Sequence, residues 1–100
     1  MRRIAVQKEA DEVAKREFVP YLREEALKGW KLYKDGIIRE MYFKTEHPDA
    51  VLILECSSVE HAKEKLNRLP LVQKGLISFD LIPLCPYHGY KRLFDKEYLD

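Results

Sequence analysis

This chain of 100 residues has two cysteines, four glycines and five prolines, few of the residues that staple, loosen or break a backbone. Cys56 and Cys85 stand far apart without CxxC spacing, which argues against a disulfide framework or a cysteine zinc site. Both are expected as buried, reduced thiols. Three histidines without ligand-like spacing argue against a metal centre. No glycine-rich phosphate loop and no GxSxG is present, so nucleotide-dependent and hydrolase chemistries have nothing to rest on. Charge of one sign is also missing: 18 basic and 17 acidic side chains are spread along the whole chain, with a formal net charge of +1. No basic block interleaves with aromatics, so nucleic acid is not an expected partner. The start, Met1-Arg2-Arg3-Ile4-Ala5-Val6, has no apolar run long enough for a signal peptide. Nothing approaches the roughly 20 apolar residues of a membrane span. The expectation is a cytoplasmic protein that does not enter a membrane.

What is present is an ordinary globular balance, 46% hydrophobic and 35% charged. At this length it makes one domain. A weak first strand is predicted over 3–7, with Ile4 and Val6 on one face. A helical pattern follows from about Glu9, and Ala10, Val13, Ala14, Phe18 and Tyr21 fall in one stripe with Leu22 at its edge. Pro20 sits opposite that stripe and is expected to kink or split the helix. Gly29 is the expected helix stop. Gly36 turns the chain into a β-rich run over 37–43, His47-Pro48-Asp49 forms a turn, and 50–56 is a short apolar strand.

The second helix opens with a capping box in which Ser57 caps and Glu60 reaches back. Val59, Ala62, Leu66 and Leu69 share its face, and Pro70 stops it. The last strand spans 76–82, and a tail over 84–100 is apolar enough to pack on the domain or on a partner copy. The order β-α-β-β-α-β predicts an α+β, ferredoxin-like domain over 1–100 with a four-stranded antiparallel sheet. Two helices cover one sheet face, yet Val51-Leu52-Ile53-Leu54 and Ile37-Ile38 are apolar on both. A strand buried on both sides needs two covers, and a second copy of the chain supplies one by two-fold symmetry. The alternative cover is the chain's own tail.

A helix ending in Leu69-Pro70-Leu71, a short spacer, and a strand ending in Pro83-Leu84-Cys85 resemble the end of muconolactone isomerase. Glu12-Val13-Ala14 and Ile38-Arg39 also have plausible counterparts in that family. The resemblance implies paired ferredoxin-like subunits in a dimeric α/β barrel, often assembled into larger rings. It also implies a site without cofactor between sheet and helices. The chain departs from the family in a longer connection through Thr45-Glu46-His47-Pro48, in its aromatic tail, and in a first strand with no clear polar counterpart for substrate.

The implied reaction is a proton shift in an unsaturated lactone, which needs a base beside a carbonyl and a donor or cation for the enolate charge. Glu17, inside the helical stripe, is the expected base. Arg39, sharing a strand face with Ile37, Met41 and Phe43, is the expected anchor for a substrate carboxylate. The alternative for Arg39 is a strand-edge or interface ion pair, for instance with Glu55. His88, between Tyr87 and Tyr90, is placed as an auxiliary acid, whereas His47 and His61 are expected to be inert. Tyr21, Tyr42 and Tyr87 are expected to line an apolar pocket with polar tips.

The leading expectation is thus a cofactor-independent isomerase for an acidic or lactone-like metabolite. The alternatives are a cofactor-free monooxygenase on the same scaffold and a non-catalytic dimeric ligand-binding module. A cavity holding Glu17 and Arg39 within reach of one ligand favours catalysis. One filled by Phe18, Phe79 and the tail favours the module.

Overall fold

The computed structural model describes residues 1–9 and 15–94. Its strands are β1 (Arg2–Glu9), β2 (Ile38–Phe43), β3 (Ala50–Glu55) and β4 (Ile77–Pro83), and its helices are α1 (Leu22–Lys34), α2 (Val59–Leu66) and the single turn α3 (Pro70–Gln73). The sheet order is β2-β3-β1-β4, with every neighbouring pair antiparallel. β1 and β2 therefore run the same way with β3 inserted between them, as the split βαβ unit requires. The α+β, ferredoxin-like expectation is met.

The first helix differs from the sequence-based expectation. β1 runs on to Glu9, and Pro20 opens a 3-10 turn over Val19–Tyr21 that leads into α1. A proline lacks the N–H that a first turn leaves unpaired, so it starts this helix instead of kinking it. Ala10, Val13 and Ala14 lie outside the described residues, as do Tyr98 and Leu99 of the tail. Gly29 does not stop the helix either. α1 continues to Lys34 and ends at Gly36, whose φ of 79° suits a residue without Cβ. The N–H of Gly36 donates to the Tyr33 carbonyl and that of Ile37 to the Leu32 carbonyl, the double bond pattern of a Schellman ending.

α2 is capped one residue later than expected. Ser58 Oγ accepts from the His61 N–H at 3.0 Å, and the His61 ring accepts from the Ser57 N–H at 3.2 Å. His61 thus takes the role assigned to Glu60.

Strand alternation builds the core. Ala5, Leu52, Leu54 and Ile38 face the helices and pack with Leu32, Ala62, Leu66 and Leu69. Cys56 joins this core, whereas Cys85 is exposed, against expectation, on the run that follows β4. On the other face, register aligns Ile4 with both Ile53 and Ile82, and Val51 with both Val6 and Tyr42. These side chains are half-buried or exposed, and none of the described helices covers them. In the described part of the tail, Tyr87, Tyr90, Leu93 and Phe94 are exposed. Among the described residues no helix is long and apolar enough to cross a membrane.

Leu54 is fully buried at the centre of the helix-covered face. Leu54→Ala is expected to lower the unfolding free energy by about 2–5 kcal/mol in urea denaturation, through lost transfer energy and the cavity left behind.

Candidate functional site

A cavity of about 640 Å³ lies between α1 and the helix-covered face of the sheet. Its roof is set by the phase of α1. Leu22, Glu25, Ala26, Gly29 and Trp30 line it, at i, i+3, i+4, i+7 and i+8 of the helix. Gly29 contributes space, since a Cβ there meets nothing within 4 Å. Gln7, Ile38, Met41, Phe43, Ala50, Leu52 and Phe79 form the floor, and Phe18, Val19, Pro48, Leu69 and Leu71 close the sides. Trp30 and Phe43 are more than half exposed at the mouth, and Trp30 stacks on Tyr33 with ring centroids 5.7 Å apart.

Two polar side chains break this apolar lining apart from the Trp30 indole. Glu25 projects from α1, and its Oε1 accepts from the Leu71 N–H at 3.0 Å. That donor belongs to the first turn of α3, where a backbone N–H has no partner inside its own helix. Burial pushes the Glu25 carboxyl above its ordinary 4.5, and the Leu71 bond offsets part of that rise. Gln7, nine-tenths buried on β1, accepts through Oε1 from the Ala50 N–H at 2.8 Å. Gln7 thus puts a polar side chain of the first strand in the cavity lining, where the sequence offered no clear polar counterpart for substrate.

None of the six residues expected at the site lines this cavity. Glu17 is exposed in the 3-10 turn Lys15–Glu17, because the helix that was to turn it inward begins five residues later. Arg39 lies at a register shift, where Ile38 pairs with Leu54 and Glu40 with Ile53. Arg39 follows the cavity-side Ile38 on the open face, and the bulge brings Met41 and Phe43 back to the cavity side with Ile38, where unbroken alternation would have put them beside Arg39. On the open face Arg39 borders a shallow cleft with Arg2, Glu55 and Cys85. The Glu55 carboxyl is held below its ordinary value, first by the N-terminal ammonium and in smaller part by the Arg2 and Arg39 charges. No ion pair forms between Arg39 and Glu55 within 4 Å.

Tyr42 is on the same open face, donating to the Glu40 carboxylate, a bond that raises its phenol. Tyr21 is half-buried outside the cavity, with the Lys74 ammonium 5.8 Å from its ring centre. Tyr87 and His88 are exposed, Tyr87 against Tyr90 with centroids 5.6 Å apart and His88 just before the turn Gly89–Leu93. The cavity meets neither sequence-based criterion. Phe18 and Phe79 line it without filling it, and Glu17 and Arg39 are elsewhere. Sequence reasoning passed over Glu25 and Gln7. The signal for Glu25 was the i, i+3, i+4 spacing from Leu22, visible once Pro20 is taken as the helix start.

No protein-family model matches the chain, and no curated protein does. Among solved structures, the crystal structure of muconolactone isomerase superposes with a TM-score of 0.71 over 89% of this chain and 93% of that one, at 18% sequence identity. Sheet order, helix placement and this superposition together give the chain the fold of muconolactone isomerase, a ferredoxin-like α+β domain.

Proposed function

We propose that the chain is a cofactor-independent enzyme that moves a proton within a neutral, lactone-like small molecule, with Glu25 as general base and acid. The observation that carries this reading is a single carboxylate on the wall of a cavity whose lining is apolar but for it, the Gln7 amide and the Trp30 indole. One carboxylate oxygen is held by a backbone N–H, and no described cation lies within ion-pair distance. Burial raises the pKa of such a group, which makes the carboxylate a stronger base for the proton it removes. The ionised carboxylate removes a proton beside the lactone carbonyl, and the electron pair left behind spreads onto the carbonyl oxygen. The carboxyl then returns the proton two carbons further along. The double bond moves, and electrons and atoms balance without an oxidant or reductant.

The fold shared with muconolactone isomerase supports this reaction class by analogy. An acidic substrate is less well supported, because Arg39 is on the far face and the cavity-lining residues carry no cation.

The test follows α-angelica lactone, a neutral β,γ-unsaturated lactone, and muconolactone by proton NMR. Wild type is expected to isomerise the neutral lactone, and Glu25→Gln to slow it by about two orders of magnitude or more. Glu17→Gln is expected to keep the wild-type rate. Wild-type turnover no faster than buffer removes the reading.

A second expected outcome concerns stability. The folded pKa of Glu25 is raised, so between 4.5 and that value the folded protein holds this proton more tightly than the unfolded chain does. The contribution is complete below the ordinary pKa and is lost as pH rises through the folded one. Urea denaturation at stepped pH is expected to show that decline, and Glu25→Gln to flatten it.

We further propose that two copies pair through their open sheet faces. Ile4, Val6, Val51 and Ile53 form a contiguous apolar surface there, bordered by the Arg2–Glu55 and Lys8–Asp80 ion pairs. Light scattering at micromolar concentration is expected to give a dimer, and Val51→Asp a monomer. A monomeric wild type overturns the pairing.

A further inference from the structure

The cavity holds a second polar side chain to which acid–base chemistry at Glu25 gives no task. Gln7 has 8% of its surface exposed and stands on the sheet floor, on the wall opposite α1. A buried amide is expected to use both its acceptor and its donors. The acceptor is used: Oε1 faces the Ala50 N–H. A backbone N–H can only donate, so the atom opposite it must be the amide oxygen, which fixes the orientation of the whole amide. The nitrogen therefore turns away from Ala50, and among the described residues it donates to no acceptor. Nor is it sealed. Among the described residues, the fully enclosed side-chain atoms without partners are Arg3 Nε and Asp49 Oδ1, not Gln7 Nε2. The open space beside Gln7 is the cavity.

We propose that Gln7 is the hydrogen-bond donor for the ligand, and that the ligand is a neutral, largely apolar ring compound bearing a carbonyl oxygen. The inference rests on the acid–base reading of Glu25 and narrows its substrate class. A carbonyl oxygen accepts from Nε2 while the carbon beside it faces the carboxylate across the cavity. When that carbon loses its proton, charge develops on the oxygen, and an N–H already aimed there binds it more strongly than it bound the ground state. A ligand carboxylate in the same place would meet Glu25 without a compensating cation, in surroundings that solvate charge poorly.

Binding separates this idea from catalysis. Calorimetry at pH 8 compares 1-tetralone with tetralin, the same ring system without the carbonyl, and with 1-naphthoate. Wild type is expected to bind the ketone about tenfold tighter than the hydrocarbon, the worth of one net hydrogen bond. Naphthoate is expected to bind more weakly than either. Gln7→Glu keeps an acceptor for the Ala50 N–H and replaces the amino group by oxygen. Gln7→Leu removes both, with hydrogen exchange at Ala50 reporting whether β1–β3 pairing persists. Both variants are expected to bind ketone and hydrocarbon alike. Equal binding of the two by wild type, or a preference retained in both variants, overturns the role of Gln7 and leaves that of Glu25 standing. Naphthoate as the tightest ligand overturns the substrate class. Failure of tetralin to bind wild type removes the cavity as a ligand site and both readings with it.

Discussion

The rotational phase of α1 over the sheet is fixed at its two ends, and the site depends on it. At the front, Pro20 holds the 3-10 turn that feeds Leu22 into the helix. At the back, Gly36 adopts a left-handed φ and lets the last carbonyls of α1 pair with the N–H groups of Gly36 and Ile37. Between these clamps the helix has one way to present itself. Leu22, Ala26 and Trp30 give the cavity an apolar roof, Gly29 leaves room beneath the backbone, and Glu25 falls in the same stripe. A phase error of one residue would carry Glu25 about 100° around the axis and out of the cavity.

Glu25 is held in an apolar lining because it also serves the fold. The N–H of Leu71 starts a helix of one turn, preceded by a proline and capped by no side chain of its own segment. Oε1 of Glu25 supplies the missing acceptor and ties α1 to α3. Leaving a buried donor unpaired costs about 1–3 kcal/mol, which offsets part of the cost of desolvating the carboxyl. The second carboxylate oxygen has no such duty. Gln7 repeats the arrangement on the opposite wall, where its oxygen serves Ala50 and its nitrogen donates to no described residue. In each case one atom of a polar side chain is fixed by a backbone N–H of the fold and the other has no partner among the described residues, so its direction is set without mobile supports.

The order of elements and their layering were legible in the sequence, because they rest on alternation, capping and turn residues that act locally. Val51-Leu52-Ile53-Leu54 resolves as written, Leu52 and Leu54 to the helices and Val51 and Ile53 to the open face. The Leu-Pro-Leu and Pro-Leu-Cys segments led to the fold that the superposition shows. The site was not legible, since side-chain direction depends on phase, and two phase shifts intervene. The helical stripe drawn from Glu9 placed Glu17 inward, whereas β1 extends through Glu9 and α1 starts at Leu22. Strict period-two parity placed Arg39 beside Met41, whereas the bulge after Ile38 reverses it. A bulge is a non-local compromise between two strands and leaves little trace in either one. Gln7 was missed for a different reason. A glutamine near a strand end reads as solvent-facing until the Ala50 N–H shows what it is holding.

The position of Arg39 also separates the two faces of the sheet by chemistry. On the helix side, the cavity has a carboxyl and an amide and no cation among its lining residues. On the open side, Arg2, Arg39, Glu55, Lys8 and Asp80 border an apolar strip. A guanidinium in the cavity would hold Glu25 ionised and lower its pKa, removing the feature that suits it to proton transfer. On the open face the same charge borders a surface that a second chain can cover, where it sets orientation and excludes wrong partners more than it adds affinity. Arg39 falls opposite Ile38 on the open face, and the bulge returns Met41 and Phe43 to the cavity side, so the strand leaves its cation at the rim of the open face and none beside the carboxylate. The same short strand thus lines the cavity with apolar side chains and leaves its charge on the opposite face of one four-stranded sheet.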